Sequence, residues 1–279
     1  MESIAVFRKK KSFMKYRLYN KFNSVICYVI RLFQKQLELD GKYGYLTIFH
    51  DYESFYAQPG VKEQSYYGVN RMLDIEKKYN VRTTYNTVGK LGEDLPEVIN
   101  RIINEGHELA GHSYDHSFLA FKSKSKTEWD LKKTMESFLD YGVKIKGMRS
   151  PKGRWSFGQM RLMAKLGMTW SAEGDKAKYP YFIIPNKLLR FPVKIGDHKQ
   201  YRKFKTPEAV TLNYLKIVDE LIENKGYGAM CFHPWVIAES EERLEAYDGL
   251  LREITKKQNL KIVTFSEMCD LIKKFNKLS

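Results

Sequence analysis

Residues 105–116, EGHELAGHSYDH, lead from a helix end through a short apolar strand into a cluster of histidines. Gly106 is typical of the residue that follows a helix, and the run from His107 to Ala110 then indicates a strand. His112 and His116 are four residues apart, so in a helical turn both imidazoles would lie on one face and bind one metal ion. The stretch therefore predicts a strand end that carries metal ligands.

The chain on both sides alternates short β-rich runs with amphipathic helical segments. β-branched and aromatic residues mark buried strands, for example at 45–49, 145–149 and 227–232. Six to eight such βα units predict an α/β fold whose parallel sheet is covered by helices, as an open sheet or a barrel. Active sites of parallel sheets lie at the carboxyl ends of the strands. Polar clusters are therefore expected just after strands, which is where the sequence has them.

Two further strand ends carry histidine. His50 and Asp51 follow the first strand, and His233 ends an almost wholly apolar one. Imidazole nitrogen and carboxylate oxygen are suitable ligands for zinc and similar divalent ions. Asp51 is the natural third ligand beside His112 and His116, and three protein ligands with an open position describe a catalytic metal site.

Composition limits the class of protein. The 279 residues are 43% apolar and 29% charged, which fits a globular protein and excludes intrinsic disorder, collagen and a multi-span membrane protein. Cys27, Cys231 and Cys269 lie far apart, so the sequence predicts neither a disulfide framework nor a thiolate zinc site. This usage fits a reducing compartment.

The first forty residues differ from the rest, and we divide the chain into a basic amphipathic helical segment at 1–40 and a catalytic domain at 41–279. Residues 1–36 hold nine Lys or Arg against one Glu, a local charge of +8 within a total of +15. Apolar residues between these charges predict a helix that either lies on an anionic lipid surface or packs on the domain. No cleavable signal is recognisable, so we expect a cytoplasmic protein, peripheral to the inner membrane face. No nucleic-acid-binding motif accompanies the charge, and the sequence does not decide the oligomeric state.

The motifs resemble those of the polysaccharide deacetylases, the nodulation-protein-B homology group of metal-dependent carbohydrate esterases. Residues 105–116 are close to the family's "GHEIGNHTYSH", which is the most specific match. The other matches occur in the family's order: Phe49 to Asp51 with its Phe-Asp-Asp motif, 81–89 with its second strand, Arg149 to Gly153 with its arginine–proline motif, and Phe232-His233 with its final histidine motif. The resemblance covers about residues 43–268.

This resemblance implies a distorted barrel of the (β/α)7 type and a divalent metal ion, usually Zn²⁺, held by Asp51, His112 and His116. It implies a hydrolase of non-peptide amide bonds that removes an N-acyl group, foremost N-acetyl, from an amino sugar. The substrate would be a polysaccharide, a glycan or a lipid-linked glycan, as in surface polysaccharide biosynthesis. Two alternatives stay open: a deformylase or other amide hydrolase on the same barrel, and a catalytically impaired carbohydrate-binding relative.

The resemblance also implies catalytic roles. His233 would protonate the departing amine. The family places an aspartate base, oriented by the motif arginine, directly before the metal aspartate, but here His50 has that position. Arg149 would disfavour a protonated imidazole beside it, so the pairing does not carry over unchanged. We prefer Glu53 as the base, because residues i and i+2 of an extended segment point the same way and Glu53 then faces the metal with Asp51. His50 is the alternative base.

Four residues are expected to bind substrate. Pro151, Trp155 and Trp235 adjoin motif residues and are candidates for the pocket walls, and Tyr52 follows Asp51 where an aromatic ring can stack on a sugar.

Overall fold

The structure, a computed structural model, describes residues 22–34, 36–57 and 60–278 and consists of two compact units, residues 1–36 and 37–279. In the first unit, helix α1 occupies residues 22–32, and it exposes apolar side chains that include Phe22 and Leu32. Within the predicted basic segment at 1–40, residues 1–21 and residue 35 lie outside the described residues. Within the part of the chain that is described, no helix is both long and apolar enough to cross a bilayer.

The second unit is built on one curled sheet in which nearly all strands are parallel. Its order is β6-β7-β5-β4-β3-β2-β1-β9-β8, and β10 also pairs with β1. Among the strands of the described residues, only the β6–β7 pair is antiparallel. The strands are β1 (Gly44–Tyr52), β2 (Thr84–Thr87), β3 (Glu108–Gly111), β4 (Gly147–Met148), β5 (Trp170–Gly174), β6 (Tyr181–Ile184), β7 (Leu188–Val193), β8 (Ile195–Gly196), β9 (Tyr227–Phe232) and β10 (Leu260–Ile262). This half-barrel confirms the predicted α/β barrel-type fold.

Helices cover the outside of the sheet between successive strands. They are α2 (Lys62–Lys78), α3 (Leu91–Asp94), α4 (Pro96–Asn104), α5 (Lys124–Glu136), α6 (Phe157–Lys165), α7 (Asp197–Phe204), α8 (Pro207–Glu223), α9 (Pro234–Ile237), α10 (Glu241–Thr255) and α11 (Phe265–Asn276). Gly147 allows β4 to approach β5, since a Cβ atom at this glycine would lie 2.1 Å from the Trp170 ring.

The alternation of side chains along β1 determines what reaches the site. All nine residues of β1 are buried, as expected for a central parallel strand. Leu46 and Ile48 pack against helices α2, α8 and α10 on one face of the sheet. Tyr45 and Phe49 pack on the other face with residues of β5, β7 and α11. Because successive residues of a strand point to opposite faces, Asp51 shares the face of Phe49.

Candidate active site

Polar side chains from four strands meet at the carboxyl edge of the sheet. Glu53 follows β1, His112 follows β3, Arg149 follows β4 and His233 follows β9. The ladder hydrogen bonds continue into these residues, since the His112 N–H donates to Thr87 O at 2.9 Å. The parallel sheet thus brings together residues that are up to 180 positions apart in the chain.

Glu53, His112 and His116 form one tight group. Glu53 Oε1 lies 3.2 Å from His112 Nε2 and 2.9 Å from His116 Nε2, and the ligand atoms of all three residues lie within 4.8 Å of one another. The three side chains are almost completely buried. Burial opposes ionisation of Glu53, but the two adjacent imidazoles outweigh it and hold the pKa of Glu53 well below its usual range.

Both imidazoles are oriented by backbone carbonyl groups. His112 Nδ1 donates to Arg149 O at 2.9 Å, and His116 Nδ1 donates to Tyr56 O at 2.8 Å. In a neutral imidazole whose Nδ1 carries the proton, Nε2 is an acceptor. His116 Nε2 is buried and makes no hydrogen bond within the described part of the chain. Three acceptor atoms therefore converge, and they fit a cation between them, as expected of a His₂–carboxylate metal site.

Asp51, predicted as the third metal ligand, is placed elsewhere. Its Oδ2 accepts a hydrogen bond from Arg149 Nε at 2.7 Å and lies 3.6 Å from His233 Nε2, and Cys231 Sγ lies at the same distance. The carboxylate beside His112 and His116 is thus that of Glu53. Burial alone would raise the pKa of Asp51, but the Arg149 guanidinium holds it below its usual value.

His233 is held by a carboxylate that the sequence analysis did not identify. Asp197 begins helix α7 and is fully buried. Its Oδ1 accepts from His233 Nδ1 at 2.8 Å, and its Oδ2 accepts from the His233 backbone N–H at 2.6 Å. Burial lowers the pKa of His233, but Asp197 overcomes this and raises it to about 9.

Asp51 and His233 therefore have opposite protonation states at neutral pH. The carboxylate of Asp51 is ionised, and the imidazole of His233 carries a second proton. Neighbouring titratable groups whose pKa values are pushed apart are the usual basis for assigning a base and an acid.

His50 and Tyr52 point away from this cluster, which corrects two expectations. His50 is fully buried, and its Nε2 pairs with Glu76 Oε1 of α2 at 2.6 Å. Glu76 also accepts hydrogen bonds from Tyr85 at 2.8 Å and from Tyr247 at 2.7 Å, so His50 belongs to a buried network behind the sheet. Tyr52 is fully buried as well and cannot stack on a sugar at the mouth of the barrel. The alternation along β1 turns both side chains away from Asp51.

The other predicted wall residues lie at different depths. Trp235 is half-buried, and its Nε1 donates to Glu53 Oε2 at 3.3 Å, so this indole borders the cluster directly. Pro151 begins a short 3₁₀ helix after β4 and is buried. Trp155 is also buried, under the Arg190 guanidinium, whose carbon lies 4.1 Å from the indole centroid. Trp235 therefore contacts the site directly.

The sequence offered one signal for Asp197, the carboxylate partner of His233 that the sequence analysis did not identify. The doublet Asp197-His198 holds one of the six histidines, and the His198 ring lies 4.7 Å from that of His233 and 4.9 Å from that of Trp235.

Comparison with known proteins shows a family similarity in part of the chain. The family model of the polysaccharide deacetylases matches residues 64–171, which include His112, His116 and Arg149. The match of this chain to the polysaccharide deacetylase family thus lies in residues 64–171. The chain is 28% identical over 154 residues to the peptidoglycan-N-acetylmuramic acid deacetylase PdaA of Bacillus subtilis, which is 49% of this chain and 52% of that protein. The chain thus spans about half the length of this curated relative.

Solved structures share the fold of the second unit. A polysaccharide deacetylase structure from Mycobacterium smegmatis superposes with a TM-score of 0.77 at 20% identity, over 88% of this chain and 97% of the other. The allantoinase Puue superposes with a TM-score of 0.75 at 16% identity, over 88% of this chain and 96% of the other. At these identities the likeness concerns the fold alone.

Proposed function

We propose that this chain is a metal-dependent hydrolase that removes an N-acetyl group from an amino sugar of a polysaccharide or of a lipid-linked glycan. The observation that carries the proposal is the convergence of Glu53, His112 and His116 beside the oppositely charged pair Asp51 and His233. The deacetylase family and its peptidoglycan-directed relatives supply the substrate class.

Glu53, His112 and His116 would hold the divalent ion, with Zn²⁺ favoured by two imidazoles and one carboxylate. Such an ion polarises an amide carbonyl and lowers the pKa of a bound water to about 7. The Trp235 indole, which donates to Glu53 Oε2, and the two carbonyl acceptors behind the imidazoles keep the ligands in this orientation. This assignment exchanges the roles that the sequence analysis gave to Asp51 and Glu53.

Asp51 would act as the general base. It is ionised at neutral pH, and Arg149 fixes its carboxylate at 2.7 Å while Asn86 Nδ2 lies 3.4 Å from its other oxygen. A carboxylate held in this way can accept a proton from the attacking water at low cost in reorganisation. Arg149 also donates to Ala172 O, so the guanidinium is itself anchored to β5.

His233 would act as the general acid. An amine leaves an amide only when it is protonated, and His233, whose pKa is about 9, carries a proton to give at neutral pH. The hydrogen bond to Asp197 leaves His233 Nε2 as the atom that faces the cluster. Nε2 lies 3.6 Å from Asp51 Oδ2, so acid and base flank the same small volume.

A release assay tests this function. The full chain loaded with Zn²⁺ is expected to liberate acetate from N-acetylated chito-oligosaccharides or peptidoglycan fragments, and treatment with a chelator should abolish release until Zn²⁺ is restored. Formate release from N-formyl sugars would favour the deformylase alternative. Stoichiometric metal without release of either acid, from any of these substrates, would contradict the proposal and favour a glycan-binding role.

We further propose that α1 contacts anionic lipid, as the charge of residues 1–36 predicts. Phe22, Val25 and Leu32 are at least 60% exposed, so this helix offers apolar side chains, and Arg31 is its basic residue. The full chain should sediment with vesicles that contain phosphatidylglycerol, and less so in 0.5 M NaCl. Equal recovery with purely zwitterionic vesicles, or none with either, would count against lipid contact.

A further inference from the structure

Two cationic side chains meet over one aromatic ring beside the active site. The Lys152 ammonium lies 5.5 Å from the centroid of the Phe118 ring, and the Arg154 guanidinium carbon lies 4.4 Å from it. Cations within about 6 Å of a ring face are attracted by its quadrupole. Phe118 therefore holds two positive charges in one place, and we call these three residues the basic clamp.

Short chain segments tie the basic clamp to the active site. Phe118 follows His116 by two residues, and Lys152 follows Arg149 by three. Since a chain spans at most about 3.6 Å per residue, the Cα atoms of Phe118 and Lys152 lie within about 7 and 11 Å of those two residues. The clamp is therefore close enough to the active site to meet a glycan that extends from it by one or two sugars.

The local backbone directs the lysine to this position. Lys152 has a φ of 52° and Gly153 a φ of 64°, both in the left-handed region that side chains other than glycine rarely adopt. The turn is closed by hydrogen bonds from Gly153 N to Ser150 O at 2.9 Å and from Arg154 N to Pro151 O at 3.0 Å. Strained residues of this kind are typical of ligand clamps.

The charge of Lys152 is not neutralised by a neighbouring acid. Lys122, on the segment before α5, pairs with Asp130 at 3.1 Å. In contrast, no carboxylate of the described residues lies within 4.0 Å of the Lys152 ammonium, which is exposed. A positive group that is fixed in place and faces solvent attracts anions.

We propose that the basic clamp binds an anionic group of the glycan, a carboxylate or a phosphate, next to the sugar that is deacetylated. This inference rests on the proposed function and narrows its substrate to anionic glycans. The Lys152 ammonium offers a compact charge with three donors for carboxylate or phosphate oxygens, and the Arg154 guanidinium adds a second positive charge over the same ring. The ring between them provides an apolar surface for the sugar.

Equilibrium binding tests the proposal without requiring turnover. The probes are chitotetraose, its C6-carboxylated form and its C6-phosphorylated form, titrated into the Zn²⁺-loaded Asp51→Asn chain by calorimetry. We expect at least one charged form to bind roughly tenfold more tightly than the neutral one, and the carboxylated and phosphorylated arms identify the preferred anion. The double variant Lys152→Gln/Arg154→Gln, made in the same background, should lose this preference and leave the affinity for neutral chitotetraose within twofold.

Lys261→Gln is the matched control. Lys261 also lies over an aromatic ring, with its ammonium 4.7 Å from the centroid of Tyr43. Its strand β10 pairs with the first residues of β1, so Lys261 lies at the opposite edge of the sheet from the active site. Equal binding of the three probes, a preference that survives the double variant, an equal loss in the control, or no binding at all would overturn the proposal. Acetate release by the unmodified chain is measured separately. Release together with charge-independent binding would overturn only the basic clamp, whereas charge-dependent binding without release would overturn only the deacetylase function.

Discussion

Replacing Asp51 with Asn is expected to lower kcat by about 10²–10⁴-fold while the chain keeps its metal ion. The amide preserves the shape of the side chain and its contacts with Arg149 and Asn86, but it cannot accept the proton of the attacking water.

Replacing Glu53 with Gln is expected to weaken Zn²⁺ binding, because it removes the anionic ligand between His112 and His116. The loss of Zn²⁺ affinity should exceed the 10–100-fold that outer-shell partners of a metal site typically contribute.

Metal content and rescue by added metal separate the two variants. Purified Glu53→Gln should contain little Zn²⁺ and regain activity at high Zn²⁺ concentration, since Asp51 and His233 are intact. Asp51→Asn should contain about one Zn²⁺ per chain and gain nothing from an excess. Glu239→Gln, whose exposed carboxylate pairs with Arg243, is the control for the loss of a glutamate charge. Loss of Zn²⁺ from Asp51→Asn, with retention in Glu53→Gln, would restore the assignment that the sequence favoured.

The second large effect concerns His233. Replacing it with Gln should lower kcat toward amide substrates by about 10²–10⁴-fold, because the amine then departs without a proton donor. The loss should be much smaller with 4-nitrophenyl acetate, whose leaving group needs no proton. Equal losses on amide and activated ester would show that His233 has some role other than that of the acid.

Asp197 is expected to set the pH dependence of the activity through the pKa of His233. Since Asp197 raises the pKa of His233 to about 9, the acid form is present below that pH, and activity should fall as the pH rises through it. Asp197→Asn keeps the side-chain shape and removes the charge, so the pKa of His233 decreases. The alkaline limb of the kcat/KM profile should therefore move to lower pH by roughly 1–3 units. An unchanged alkaline limb in this variant would contradict the assignment of His233 as the acid.

The arrangement of strands was predictable, because each parallel strand is buried on both faces and is therefore rich in apolar and β-branched residues. The alternation along β1 also predicted that Asp51 and Glu53 face the same side. Which carboxylate lies beside the imidazoles depends on the turn that follows. Ser54 has a φ of 47°, and the chain then brings Tyr56 O within hydrogen-bonding distance of His116. Nothing in the residue types encodes that geometry.

The histidine pair was identified by its spacing, but the structural reason differs from the expected one. Residues 112–118 contain no helical turn, and both Ser113 and His116 have positive φ, of 62° and 63°. This irregular turn places the two rings 5.3 Å apart, a separation that suits a shared ion. Spacing alone thus selected two histidines that the structure brings together, and their Nδ1 atoms are held by Arg149 O and Tyr56 O.

The sequence did not predict the structure of residues 181–197, which precede and begin α7. The antiparallel hairpin of β6 and β7 and the two-residue strand β8 interrupt the βα alternation, so no periodic pattern pointed to Asp197 as a residue at a strand end. Its role follows only from the pairing of β8 with β9, which places Asp197 beside His233.

Glu53, His112 and His116 are proposed to bind one divalent ion, on which every other role in the site depends. The most direct measurement is anomalous scattering at the zinc absorption edge, from crystals of the full chain grown with Zn²⁺. We predict a single strong peak within bonding distance, about 2.0–2.2 Å, of Glu53 Oε1 and the two Nε2 atoms. A peak held instead by Asp51 and His233, or no peak at full Zn²⁺ loading, would contradict the account.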